Sequence, residues 1–206
     1  GRNFEYYSED PLLAGKLAAG FIRGAEGEGV GTSLKHFAVN NQETLRMSVS
    51  AEVDERALHE LYLRPFEIAV KEGAPSTVMC SYNRINGVYA SENRMLLTRI
   101  LREQWGFDGL VMSDWGAVYR RPAGVAAGLD LEMPSSGGVT DREIVRAVRA
   151  GRLDEAALDA LCARVLRLAL AHAPQRKKAY PAPVHNVAAV RRMLDRHHAL
   201  AVRAAR

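Results

Sequence analysis

The sequence is poor in cysteine, with only Cys80 and Cys162, each inside an apolar segment and without CxxC or Cys/His ligand spacing. They offer no disulfide framework, and both read as buried free thiols. The six histidines, His36, His59, His172, His185, His197 and His198, contain no HExxH pair. No metal site is therefore expected. Apolar runs are short: none approaches the roughly 20 residues needed to cross a bilayer, so no membrane-spanning helix is expected. The chain opens on Gly1-Arg2-Asn3-Phe4, without an initiator Met, a basic leader or an apolar leader core. No secretory signal is visible, Gly1 reads as an interior cut, and cytoplasmic and secreted or periplasmic locations both stay open. The glycines at 24, 27, 29 and 31 match neither a P-loop nor a dinucleotide turn and read as a flexible turn.

What is present is the composition of a folded globular chain: 206 residues, 48% hydrophobic and 25% charged. The formal charge of +4 is unevenly placed. Residues 171–206 hold eight Lys/Arg against Asp195 alone, a net +7, which leaves the first 170 residues at −3. The basic residues cluster as Arg176-Lys177-Lys178 between prolines and then as scattered arginines. Without a folded basic face interleaved with aromatics, this is a solvated linker and not a nucleic-acid footprint.

Asp10-Pro11 followed by Leu13, Leu17, Phe21 and Ile22 predicts a helix with an Asp cap, one buried apolar face and an end at Gly24. Residues 32–39 and 76–82 read as strands, and 54–73 as a helix bent by Pro65. Ile85-Asn86-Gly87-Val88 marks a tight hairpin turn. A helix ending at Trp105-Gly106 precedes a strand over 109–113, and Leu129–Glu132 reads as a fourth strand. Thr140-Asp141-Arg142-Glu143 resembles a capping box opening a helix to Gly151, Asp154 caps another through Ala171, and a final helix is expected over 187–205 after the proline-containing stretch 173–184. Short strands alternating with helices give an α/β fold with a parallel sheet and helices outside. Four strand–helix units are about half of the eight in a closed barrel, so the chain reads as the later part of a larger fold.

Function in parallel α/β folds gathers at the carboxyl ends of the strands. Three such ends are polar: Lys35-His36, Ser81-Tyr82-Asn83 and Ser113-Asp114-Trp115. Each has a structural explanation alone, with Lys35 snorkelling, His36 satisfied in the core and Asp114 capping a turn. Together they bring a carboxylate, hydroxyl-binding donors, a phenol and an indole to one rim, a set suited to a neutral polyhydroxylated ligand.

The segments GRNFEYYSEDP (1–11), LKHFAVNNQE (34–43), VMCSYNRINGVYASEN (78–93), LREQWGFDGLVMSDWGA (101–117) and AGLDLEMP (127–134) closely resemble the catalytic barrel of glycoside hydrolase family 3, the β-glucosidase type. The resemblance covers residues 1–172 in order. It implies a partial (β/α)8 TIM-like barrel truncated at both ends, with residues 173–206 a basic linker and helix leading toward a missing α/β sandwich domain. By the same resemblance Asp114 is the nucleophile. Lys35 and His36 bind substrate hydroxyls, and Arg2, Arg46, Tyr82, Trp115 and Met79 line the sugar pocket. For Arg2, Arg46, Tyr82 and Met79, packing is the alternative role.

A retaining glycosidase needs two carboxyl groups about 5–5.5 Å apart, one ionised to attack and one protonated to release the leaving group. Lys35 and Arg46 are expected to support the ionised form of Asp114. Glu43, Glu92 and Glu132 are candidates for the partner by type only, and the resemblance places the acid/base in the domain after the barrel. The resemblance thus implies an exo-acting retaining β-glucosidase acting on a β-glucoside or oligosaccharide, with no metal or organic cofactor and with little turnover by these residues alone. A β-xylosidase, an α-arabinofuranosidase, a phosphorylase or a sugar-binding fragment are the alternatives. Open sheet edges would favour pairing with another chain, including a homo-oligomer.

Overall fold

The computed structural model describes residues 2–173 and 187–204. The chain divides into two units, Gly1–His172 and Ala173–Arg206. The second contains one described helix, Val187–Ala204. Of the expected linker over 173–184, residues 174–184 lie outside the described residues.

In the first unit, α1 (Pro11–Gly27) starts where the sequence says: Asp10 accepts from the N–H groups of Leu12 and Leu13, and Pro11 fills the first turn. Its end and its orientation differ from expectation. It runs on through Gly24 to Gly27, and Leu13, Leu17 and Phe21 are exposed. The buried face is Gly15, Ala18, Ala19 and Ile22. Close approach of backbones decides this: a Cβ built on Gly15 would sit 2.7 Å from Ile68 Cβ, so only small residues admit the neighbouring helix.

Strand β1 (Ser33–Phe37) is followed by a two-residue strand β2 (Ser50–Ala51) and helix α2 (55–73). The helix widens to a π-helix over Leu58–Leu63, immediately before Pro65, whose missing N–H removes a normal rung, and again over Ala69–Gly73. Strand β3 (Thr77–Cys80) leads into the hairpin β4 (Arg84–Ile85) and β5 (Val88–Tyr89), whose Asn86 and Gly87 both have positive φ, 48° and 87°. This is the primed turn the Asn-Gly pair predicts. Helix α3 (Met95–Gln104, of π type) is capped by Trp105 and followed by Gly106, and strand β6 (Leu110–Ser113) comes next.

The main sheet is parallel, in the order β1-β3-β6. Beyond it, Leu131 bridges Met112 in parallel, so the expected fourth strand over 129–132 is reduced to one bridge. Helices α4 (Arg121–Ala127), α5 (Val139–Arg149) and α6 (Glu155–Ala171) complete the unit. The capping box expected at Thr140 is absent. Helix α5 begins at Val139 with Gly138 at its cap, and the Thr140 hydroxyl is turned to Glu132 instead. Asp154 does cap α6. Cys80 is buried as expected, whereas Cys162 on α6 is exposed.

Alternation sends Val78, Cys80 and Val111 into the core with Phe37, Leu63, Leu97, Leu101 and Leu129. Met79 and Met112 point to the other face and stay half-buried. Beneath the sheet, Asp130 is wholly buried and accepts from Arg102 (2.7 Å), Arg164 Nε (2.8 Å) and Val111 N–H (2.8 Å). The buried Arg121 donates to the carbonyls of Leu129 and Asp130.

Two outcomes follow, both read by urea unfolding. Gly15→Ala gains about 1 kcal/mol of helix propensity but forces a clash against Ile68 that costs about 1–3 kcal/mol. A net loss of stability is expected, and a stabilised variant would mean that α1 does not pack at this distance. Asp130→Asn leaves two guanidinium groups without their charge partner and should lose about 3–5 kcal/mol. A loss under 1 kcal/mol would show that the network is not buried in the folded protein.

Candidate active site

Strand β1 changes register against β3 between Leu34 and Phe37, a stretch in which the Lys35–His36 and Phe37–Ala38 peptide bonds are cis. Phe37 goes fully into the core while His36, 6% exposed, sits at the carboxyl rim. Asp114 directly follows β6, and its side chain is 13% exposed. His36 Nε2 lies 3.4 Å from Asp114 Oδ2. The other carboxylate oxygen, Oδ1, accepts from Trp115 N–H at 2.6 Å. The carboxylate expected to carry the chemistry thus has a backbone hydrogen bond on one oxygen and the imidazole within ion-pair distance of the other. Lys35 and Arg46, expected beside it, go elsewhere.

Lys35 Nζ lies 3.6 Å from Glu5 Oε1. Arg2 binds the same carboxylate through two nitrogens, Nε to Oε2 at 2.9 Å and Nη2 to Oε1. Glu5 therefore links the residues assigned to substrate, yet its sequence position beside aromatic residues marked it only as part of a motif. Its charge-assisted bonds with Arg2, aided by Lys35 and His36, hold its carboxyl at about 2 against an ordinary 4.5, and raise the Arg2 guanidinium in return. Tyr6 was also missed. Its hydroxyl is 2.9 Å from His36 Nδ1. Burial pushes the His36 imidazole below its usual 6.5, against the pull of Asp114.

On the other side, the Arg46 guanidinium stacks 4.5 Å above the Tyr82 ring and pairs with Glu43 at 3.2 Å. The Tyr82 hydroxyl donates to the Trp115 carbonyl at 3.0 Å, and burial together with the Asp114 charge raises its phenol. The Trp115 indole is 63% exposed, free to cover a ligand. Met79 lies on the uncovered face of β3, deeper along the strand than this cluster. The three glutamates considered as proton donors are otherwise engaged: Glu43 with Arg46, Glu92 with Arg120 and Glu132 with Thr140. Among the described residues no group of His, Cys, Asp and Glu is arranged to hold a metal ion.

Residues 1–168 match the family model described as the glycosyl hydrolase family 3 N terminal domain. The chain belongs to glycosyl hydrolase family 3. It is 56% identical over 168 residues to the thermostable beta-glucosidase B of Acetivibrio thermocellus, and equally so to an exo-alpha-(1->6)-L-arabinopyranosidase of Bifidobacterium longum. Each alignment covers 82% of this chain and 22% of the relative, so the chain spans about a fifth of those proteins. Among solved structures, the family 3 beta-glucosidase of Bifidobacterium adolescentis matches with a TM-score of 0.80 at 54% identity. Beta-glucosidase 3B of Thermotoga neapolitana, in complex with alpha-D-glucose, gives 0.80 at 47%. Both cover 83% of this chain and 25% of the solved one. This family 3 chain is thus an α/β segment of the barrel those proteins share.

The pH response follows from His36. A folded-state value below 6.5 means that the unfolded chain binds the proton more readily. Stability is then complete above about pH 6.5 and declines as pH falls beneath it. Glu5 acts lower: its contribution is present above its ordinary 4.5 and is lost as pH drops toward 2. In unfolding experiments between about pH 7 and about pH 5, His36→Gln should flatten the decline. An unchanged slope in that variant would remove His36 as its source.

Proposed function

We propose that this chain carries the nucleophile and most of the sugar-binding rim of a retaining, exo-acting β-glycosidase of family 3, with terminal β-D-glucosyl residues as substrate. The observation that supports this best is the 3.4 Å approach of His36 Nε2 to Asp114 Oδ2, made between the ends of two different strands. An Asp that merely capped a turn would need no such partner.

In this reading an Asp114 oxygen attacks the anomeric carbon as the glycosidic bond breaks. A protonated carboxyl gives its proton to the leaving oxygen, and a glycosyl ester forms on Asp114. Water, deprotonated by that second carboxyl, then releases the sugar with overall retention. Lys35, Arg2 and Arg46 donate to ring hydroxyls, His36 orients the nucleophile, Tyr82 and Trp115 flank the sugar, and Met79 lines the floor. Following the family resemblance, the acid/base is assigned to the domain after the barrel, and the partners that Glu43, Glu92 and Glu132 already have agree with this. Residues 1–172 are then part of the catalytic barrel and 173–206 the connection onward, and these 206 residues alone should turn over little substrate.

A second reading changes the sugar. The arabinopyranosidase relative is as similar as the β-glucosidase, which favours a terminal α-L-arabinopyranosyl group, a pyranose without the hydroxymethyl arm. Aryl glycosides of both sugars, tested on the full-length protein, separate the two. For the mechanism, a 2-deoxy-2-fluoro glucoside should leave its label within residues 109–120, and Asp114→Asn should lower kcat by about a thousandfold or more. Label on another carboxylate, or an active Asp114→Asn enzyme, would overturn the assignment.

A further inference from the structure

We infer that Tyr6 is a positioning residue that holds His36 in the Nε2–H tautomer, with that proton aimed at Asp114. The inference rests on the reading of Asp114 as nucleophile and adds to it the group that sets the direction of the histidine's proton.

The donors and acceptors around the ring select the tautomer. The Tyr6 hydroxyl has one hydrogen. The backbone N–H of His36 approaches the Tyr6 oxygen at 3.4 Å and can only donate, so the oxygen accepts there. A phenol oxygen can accept a second bond as well, so at His36 Nδ1, 2.9 Å away, the hydroxyl either donates or accepts, and the tautomer of the ring selects which. A neutral imidazole whose Nδ1 accepts carries its proton on Nε2, and Nε2 is the atom facing Asp114 Oδ2.

The competing arrangement puts the proton on Nδ1 and directs it to the Tyr6 oxygen or to Glu5. The Glu5 contact is 3.8 Å, too long for a hydrogen bond, and Glu5 Oε2 already accepts from Arg2 Nε at 2.9 Å. Either form leaves two acceptors facing each other at Nε2 and Asp114 Oδ2, 3.4 Å apart, and this places the proton on Nε2. The charged groups around the ring are Asp114 from the end of β6, Lys35 on the same strand, and Glu5 and Arg2 from the N-terminal segment. The carboxylates and the cations oppose one another, which leaves the hydroxyl as the directional contact at Nδ1.

Tyr6 can occupy this place because residues Asn3–Glu5 form a 3-10 turn and Tyr6 N–H bonds back to the Asn3 carbonyl at 3.0 Å. The Arg2–Glu5 pair fastens the same turn. Tyr6 would touch neither the sugar nor the reacting atoms, and acts through His36.

The test uses the full-length enzyme with nitrogen-15-labelled histidine. In the wild type the His36 resonances should show a proton on Nε2 and none on Nδ1. In Tyr6→Phe the Nδ1–H form should appear, and formation of the fluoroglycosyl-enzyme should slow by about tenfold, the size of one lost hydrogen bond. On a His36→Ala background the same substitution should make no further difference. A proton on Nδ1 in the wild type, or an equal tenfold loss without His36, would overturn the inference. The tautomer is read without turnover and the label's position without the tautomer, so failure here is distinguishable from failure of the catalytic reading.

Discussion

Phe37, Cys80 and Ser113 stand side by side on three parallel strands, and that alignment decides where every other feature of the rim can be. Parallel strands in register end on one line, so whatever follows them in sequence emerges on the same edge. His36 sits beside Phe37, Tyr82 lies two residues beyond Cys80 and Asp114 one beyond Ser113. Residues far apart along the chain therefore meet without any single segment having to encode the meeting. The ladder also sets which side chains are spent on packing: Val78, Cys80 and Val111 go to the helices, and the alternate positions are left for the open face.

The buried charges support that edge from below. Asp130 bonds Val111 N–H within the sheet and arginines from α3 and α6, so one carboxylate ties the last barrel segment to two helices. A buried acid with two cations and a backbone donor has its bonding capacity filled, which makes burial tolerable and slippage costly. The segment after it returns to the rim: Ser113 N–H bonds the Leu131 carbonyl, and Gly116 N–H bonds the Met133 carbonyl at 2.7 Å. Asp114 lies between these two contacts, so its backbone is held on either side by the chain that Asp130 anchors.

Much of this was legible in the sequence, and the exceptions share a cause. Strand and helix order, the Asp10 and Asp154 caps and the Asn86-Gly87 turn depend on neighbours a few residues away, which a sequence displays directly. The buried face of α1 depends on how near another backbone can come. Counting large apolar residues pointed to Leu13, Leu17, Phe21 and Ile22, of which only Ile22 is buried, whereas the close approach of Ile68 selected Gly15. Thr140 failed similarly, because a tertiary acceptor, Glu132, outcompeted the local cap. At the rim, types and motifs named Asp114, Lys35 and His36, but not their pairing. That Lys35 serves Glu5 and His36 serves Asp114 is information carried by the turn at residues 2–6, whose own signal was only a resemblance.

The pairing has chemical meaning. Two cations share one carboxylate in the Arg2–Glu5–Lys35 group, so positive donors remain unspent there: Lys35 approaches Glu5 at a loose 3.6 Å, and Arg2 uses two of its five N–H groups. Such a group can give hydrogen bonds to hydroxyls without losing its own neutralisation. Asp114, by contrast, is addressed by a backbone N–H and by an imidazole that burial keeps from charging. In the proposed mechanism, a tight bidentate arginine on that carboxylate would occupy the oxygen meant for the anomeric carbon and would have to be broken for bond formation. Single neutral donors fix its direction at smaller cost. Glu5 therefore has a use beyond packing in the proposed mechanism: by drawing Arg2 and Lys35 to itself it keeps the strongest cations off the nucleophile and beside the sugar.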